Sequence, residues 1–141
     1  RPNGQGENNN VPANEQRKLV TSHLAGSIQA TNALSALAMK TAYARAAALR
    51  IAFKNLLSLE DLQDITTITA AKAIASIDRH RYNHSRGSFT TYVSAIARNE
   101  TLTRIRQNQI HFDRLSLART LSGTGNPAGL TDEAALTIDD S

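Results

Sequence analysis

From Glu15 to Leu57 the chain runs for 43 residues without a proline and with a single glycine, Gly26. Ala, Leu, Lys and Arg dominate this stretch, and they are residues that lose little freedom on entering a helix. Helix is the expectation throughout, with an interruption at Gly26–Ser27. The second half carries Leu34, Leu37, Ala38, Ala42, Ala46, Leu49, Phe53 and Leu56, spaced three or four apart, as a stripe facing a core would be. The apolar residues of the whole chain are chiefly Ala, Leu and Ile, aromatics are few, and there is no tryptophan. That palette suits close-packed helices better than paired sheets. The expected fold class is all-α, a helical bundle of three to five helices.

At 141 residues the chain has room for one domain and one core. Residues 1–14 (RPNGQGENNNVPAN) are polar and rich in Asn and Gly, with nothing to bury against the entropy of ordering, so a disordered N-terminal segment is expected there. The helical domain is placed at residues 15–119, and an acidic loop and tail at 120–141. That tail holds Gly123, Gly125, Pro127 and Gly129 in a loop, then a short acidic helix capped by Thr131. The absence of cysteine excludes disulfides and thiolate zinc sites. No apolar run approaches the roughly 20 residues of a membrane span, and the N-terminus lacks a signal-peptide core. No membrane partner is expected, and the expected localisation is cytoplasmic.

Between these limits, Ser58 reads as a helix cap whose hydroxyl bonds the backbone of Asp61, with Glu60 and Asp61 on the positive end of the helix dipole. In the helix that follows, Leu59, Leu62, Ile65, Ile68, Ile74 and Ile77 recur with a period of three, and each step of three drifts the face by about 60°. Thr66, Thr67 and Thr69, poor helix formers, fall in the middle of the drift, so a kink or break is expected near Thr66–Thr69. Residues 78–87 (DRHRYNHSRG) read as a polar, basic connector. Ser88 then caps a last helix, running through Gln107 or beyond, in which Phe89, Tyr92, Val93 and Ile96 share one narrow face while Arg98, Leu102 and Ile105 fall on the opposite side.

Charge is unevenly arranged. Residues 58–71 carry only Glu60, Asp61 and Asp64, whereas residues 72–119 carry nine Lys or Arg against three acids. An acidic cluster beside an Arg-rich stretch points to one basic and one polyanionic partner, or to a solvated helical surface.

The motifs sharpen this. The chain has Glu60-Asp61-Leu62-Gln63-Asp64, then Lys72-Ala73, then Arg86-Gly87-Ser88-Phe89, Thr91-Tyr92, Ile96-Ala97-Arg98-Asn99 and Arg104-Ile105-Arg106. In this order, residues 58–106 resemble the promoter-melting second region of bacterial sigma factors. Phe89 to Arg106 looks like the extracytoplasmic-function class, and phage-type late sigma factors offer a precedent for a reduced form. The resemblance implies two partners, the RNA polymerase core and the single-stranded minus-ten region of promoter DNA. It assigns Glu60, Asp61, Gln63 and Asp64 to a basic coiled coil of the polymerase. It assigns Arg86, Phe89, Tyr92, Arg98, Asn99, Arg104 and Arg106 to DNA, aromatic rings against unpaired bases and Arg on phosphates. Each has a second reading: Phe89 and Tyr92 as core, and Arg98 as an ion-pair partner of Asp61 or Asp64. Arg104 and Arg106 stand about 200° apart on a helix, so one of them should dominate phosphate binding. The 35 residues after Arg106 are too few for a domain reading the minus-35 element, which implies either an excised domain or a divergent sigma-like protein that needs a regulatory or helper protein for promoter choice. The alternative is a helical protein–protein interaction module without DNA-binding activity.

An enzyme is not expected. The sequence holds no glycine-rich phosphate loop, nucleophile elbow or paired-carboxylate motif, and implies no cofactor. His80 and His84, with His111 and Asp113, could be imagined around a metal. His80 and His84 lie in an expected loop, however, with Asp78 as the nearest carboxylate in sequence, so no metal site is expected.

Overall fold

The computed structural model of the chain describes residues 11–124, and they are helical almost throughout. Four helices follow in order: α1 (Ala13–Leu24), α2 (Ile28–Ala52), α3 (Leu59–Asp78) and α4 (Phe89–Thr124), with short 3₁₀ turns at Lys54–Leu56 and His84–Arg86. Among the described residues there is no strand. Helix α1 starts at Ala13, two residues earlier than the composition of the N-terminal segment suggested; residues 1–10 lie outside the described part. Gly123, expected in a loop, falls within α4, while Gly125, Pro127, Gly129 and Thr131 lie outside the described residues.

Backbone chemistry sets the joints. At the end of α1, Gly26 takes φ +97°, its N–H bonds His23 O at 2.9 Å, and the Ser27 N–H bonds Ser22 O at 3.0 Å. This 5→2, 6→1 pairing closes a helix with a left-handed residue, where glycine carries no Cβ penalty. Ser27 then caps α2 by accepting the Ala30 N–H at 3.1 Å. The interruption expected at Gly26–Ser27 is therefore observed. The same pairing ends α3, where His80 N–H bonds Ile77 O at 3.0 Å and Arg81 N–H bonds Ser76 O at 2.8 Å. Here the left-handed position, φ +58°, is held by His80, which carries a Cβ. Helix α4 starts as the sequence suggested, with Ser88 Oγ accepting the Thr91 N–H at 3.2 Å.

Helices α2, α3 and α4 pack against one another in all three pairings, and α1 lies chiefly along α2. One core cluster joins Leu34, Leu37, Ala38 and Ala42 of α2 to Ala70, Ala73 and Ile77 of α3 and to Phe89, Val93 and Ala97 of α4, with Leu19 and Val20 of α1 against it. A second, towards the other end, joins Ala46, Leu57, Leu62, Ile65 and Ile105. The α2 stripe is buried as far as Ala46; Leu49 is half-buried, and Phe53 and Leu56 fall beyond the helix end.

Helix α3 is continuous through Thr66–Thr69, and the expected kink is absent. The buried face is not the period-three row of isoleucines. It runs Leu62, Ile65, Thr66, Thr69, Ala70, Ala73, Ile77, whose steps of mostly three and one keep to a single side of an unbroken helix. Thr66 and Thr69 fill core positions, while Ile68 is 37 % exposed.

Candidate nucleic-acid and partner interfaces

The start of α3 is a reciprocal cap. The Ser58 hydroxyl accepts the Asp61 N–H at 3.0 Å, and the Asp61 carboxylate accepts the Ser58 N–H at 2.9 Å. The same carboxylate accepts Arg104 Nη1 at 2.6 Å and Asn108 Nδ2 at 3.1 Å, and Asn108 also donates to Leu56 O at 2.6 Å. Asp64 stands 3.5 Å from Arg104. Burial pushes the Asp61 carboxyl upward, but the Ser58 and Arg104 hydrogen bonds and the Arg104 charge outweigh it and hold the group below its ordinary value. Asp61 and Arg104, assigned in the sequence to two different partners, are thus each other's partner, a bolt between α3 and α4. The ion-pair role considered for Arg98 belongs to Arg104; Arg98 is exposed.

What remains on α3 is an outward stripe. Glu60, Gln63, Asp64, Thr67 and Ile68 are exposed, as is Leu59. This gives a mildly acidic surface with apolar side chains among the carboxylates. Further along, Lys72 pairs with Glu100 of α4, which leaves the acidity concentrated at the helix start.

On α4 the candidates separate. Phe89 is fully buried in the first core cluster, so the core reading of that ring holds and it does not lie on the surface. Tyr92 is half-buried, whereas Asn99 and Arg106 are exposed. With Ile96 and Thr103 these residues recur at steps of four and three, so they share one face of the helix. A cleft of about 410 Å³ beside that face is lined by Lys72, Arg79, Arg81, Tyr92, Ile96 and Asn99, among others. Arg98 faces the other way, into a cleft of about 490 Å³ shared with Thr41, Arg45, Thr90, Thr91 and Ser94. This second cleft continues into one of about 650 Å³ that adds Lys40, Gln16 and Ser88. Among the described residues no carboxylate lines either of these last two clefts. Helix α4 therefore runs between cation-bearing clefts. In the two on the Arg98 side the remaining polar groups are hydroxyls and amides, a set that can hold phosphate oxygens by charge and by hydrogen bonds, whereas the one beside Tyr92 also contains Glu100, which is paired with Lys72. Arg86 is exposed on the 3₁₀ turn of the connector.

Several of these residues were not singled out by sequence reasoning. Arg79 and Arg81 lay within the basic connector, and only the left-handed turn at His80 brings them to the cleft beside Tyr92. Tyr82 organises the connector. Its hydroxyl donates to Gly87 O at 3.0 Å, and its ring meets Phe89 edge-on at 5.9 Å and Tyr92 at 5.2 Å. Arg45 sits in the alanine-rich stretch of α2 and carried no sequence signal beyond its charge.

Among the described residues no group of three or more His, Asp or Glu could hold a metal ion, and no helix is long and apolar enough to cross a membrane. No curated protein and no solved structure matches the chain. The protein-family comparison matches residues 41–110, from the middle of α2 to well along α4, a segment containing the acidic start of α3, the connector and the Ile96–Asn99 motif. Residues 41–110 of this chain belong to the sigma-70 region 2 family.

Proposed function

We propose that this domain docks on the RNA polymerase core through the exposed stripe of α3 and holds the melted minus-ten strand of a promoter across α4 and the connector before it. The observation that carries the reading is the segregation of the two surfaces. Glu60, Gln63, Asp64 and Ile68 are exposed on α3. Arg79, Arg81 and Arg106 are exposed on the connector and α4 with Tyr92 half-buried beside them, and Arg98 is exposed on the other side of α4. A basic coiled coil fits the first, and a single strand with stacked bases and regular phosphates fits the second.

In this reading Glu60, Gln63 and Asp64 touch the polymerase, while Asp61 supports them by capping α3 and bolting it to α4. Tyr92 is the ring available to an unpaired base, flanked by Arg79, Arg81 and Asn99. Of Arg104 and Arg106, the exposed Arg106 takes the phosphate. The extracytoplasmic-function or phage-type assignment and the minus-ten sequence preference belong to this proposal as well.

The test is binding of the full chain to RNA polymerase core and, separately, to a labelled single-stranded minus-ten oligonucleotide over a range of salt. Reversing Glu60 and Asp64 to Lys should abolish core binding and spare the oligonucleotide. Arg106→Ala should weaken oligonucleotide binding similarly across sequences and flatten the salt dependence by about one unit of slope. Core binding without oligonucleotide binding at low salt would leave the chain an interaction module.

A further inference from the structure

Helix α1 lies outside the segment that matches the family, yet it is fastened to both ends of the connector between α3 and α4. Gln16 is 3 % exposed. Its Oε1 accepts the Thr90 backbone N–H at 3.0 Å, and its Nε2 donates to Val11 O at 2.7 Å and reaches Thr90 Oγ1 at 3.3 Å. Thr90 is the second residue of α4, so its N–H has no acceptor within the helix. A side chain 74 residues away supplies the acceptor, alongside the local cap from Ser88.

At the other end, His23 Nε2 lies 2.7 Å from Oδ1 of Asp78, the last residue of α3, and Nδ1 lies 2.5 Å from Thr31 Oγ1. The Thr31 hydroxyl also lies 3.0 Å from Ser27 O, and the Asp78 carboxylate accepts from Nε2. The His23–Asp78 contact is charge-assisted through the carboxylate, with the histidine side chain only 10 % exposed. Between the two anchors, α1 sets the Arg17 charge near the Tyr82 hydroxyl, and Leu19, Val20 and Tyr82 all pack on the first core cluster.

We propose that α1 is a brace for the nucleic-acid interface, with Gln16 and His23 as positioning residues that hold the two ends of the connector at a fixed separation. The inference rests on the function proposed above. Ten residues join α3 to α4, and they carry Arg79, Arg81, Tyr82 and Arg86. A strand that binds a loop with free ends must order the loop first, and the affinity falls by that cost. Fixing Asp78 and Thr90 from one rigid helix removes part of it in advance. Neither anchor touches α3's exposed stripe, so the brace acts on one partner and not on the other.

The test uses the full chain, a labelled single-stranded minus-ten oligonucleotide, RNA polymerase core, and amide hydrogen exchange across the connector. Gln16→Ala and His23→Ala should each weaken oligonucleotide binding about tenfold, as expected for losing one or two hydrogen bonds, with core binding and helical content unchanged. Gln16→Glu keeps an acceptor for the Thr90 N–H but turns its second oxygen against Val11 O, so it should recover part of the lost binding and not all of it. Exchange at residues 79–90 of the free protein should quicken in Gln16→Ala and by less in Gln16→Glu. Unchanged exchange in Gln16→Ala overturns the brace whether or not DNA binds. A parallel loss of both partners with loss of helix, or no rescue by Glu, overturns it in favour of a general structural role. If the parent chain binds no oligonucleotide, the proposed function fails, and the exchange experiment still decides the brace.

Discussion

Asp61 offers the sharpest test of how α3 and α4 are held together. Each oxygen of its carboxylate faces donors: Arg104 on Oδ1, and both the Ser58 N–H and Asn108 on Oδ2. Asp61→Asn preserves size but places an amide NH₂ against one of these donor groups whichever way it turns. One side loses its acceptor, and Arg104, only 24 % exposed, loses its counter-charge. Loss of a largely buried acceptor together with part of an ion pair should cost about 2–3 kcal/mol. With a urea slope of about 1–3 kcal/mol per molar, the midpoint should fall by roughly 1–2 M, read by far-UV circular dichroism. Combined with Arg104→Met in a double-mutant cycle, the two changes should show a coupling of about 1–2 kcal/mol. The pH dependence has a definite sign. The folded carboxyl titrates below its ordinary value of 3.8, so its contribution is fully present above that value and is lost as the pH falls through the lower, folded one. The gap between the parent and Asp61→Asn should therefore be wide at neutral pH and close in acid. A gap under about 0.5 kcal/mol, or one that stays constant into acid, would refute the bolt.

Three other outcomes follow from packing and backbone geometry. Phe89→Ala should cost about 3–5 kcal/mol in urea unfolding, since the ring is wholly buried; unchanged stability with failed promoter opening would make it a base wedge instead. His80→Gly should stabilise by about 1 kcal/mol, because it removes a Cβ from a left-handed residue without touching the hydrogen bonds that close α3; a loss of stability would show that the His80 side chain holds the connector. Thr69→Val should raise stability by about 1 kcal/mol, because the Thr69 hydroxyl is buried without a partner among the described residues and Val has nearly the same volume and helix propensity; destabilisation would reveal a bound water or a hidden acceptor there.

The sequence by itself determined what is local. Helix followed from the alanine and leucine content of residues 15–57, the joint at Gly26–Ser27 from one glycine and one capping serine, and the starts at Ser58 and Ser88 from hydroxyls ahead of helical runs, because each depends on residues within four positions of one another. The family was legible for the same reason, its motifs being short and ordered along the chain. What the local pattern could not carry, tertiary contact decided. A row of isoleucines spaced by three suggested a broken α3, but a helix packed by α2 and α4 can bury Thr66 and Thr69 and leave Ile68 half in solvent. The polar run at 78–87 marked the end of α3 to within one residue, but not the turn that closes it, because its left-handed residue is a histidine, and Arg79 and Arg81 reach the cleft beside Tyr92 only through that turn. Asp61 and Arg104 are 43 residues apart, and Gln16 and Thr90 are 74 apart. Charge and motif could give each residue a role, but whether a side chain is free for a partner or already engaged depends on which distant group the packed helices place against it.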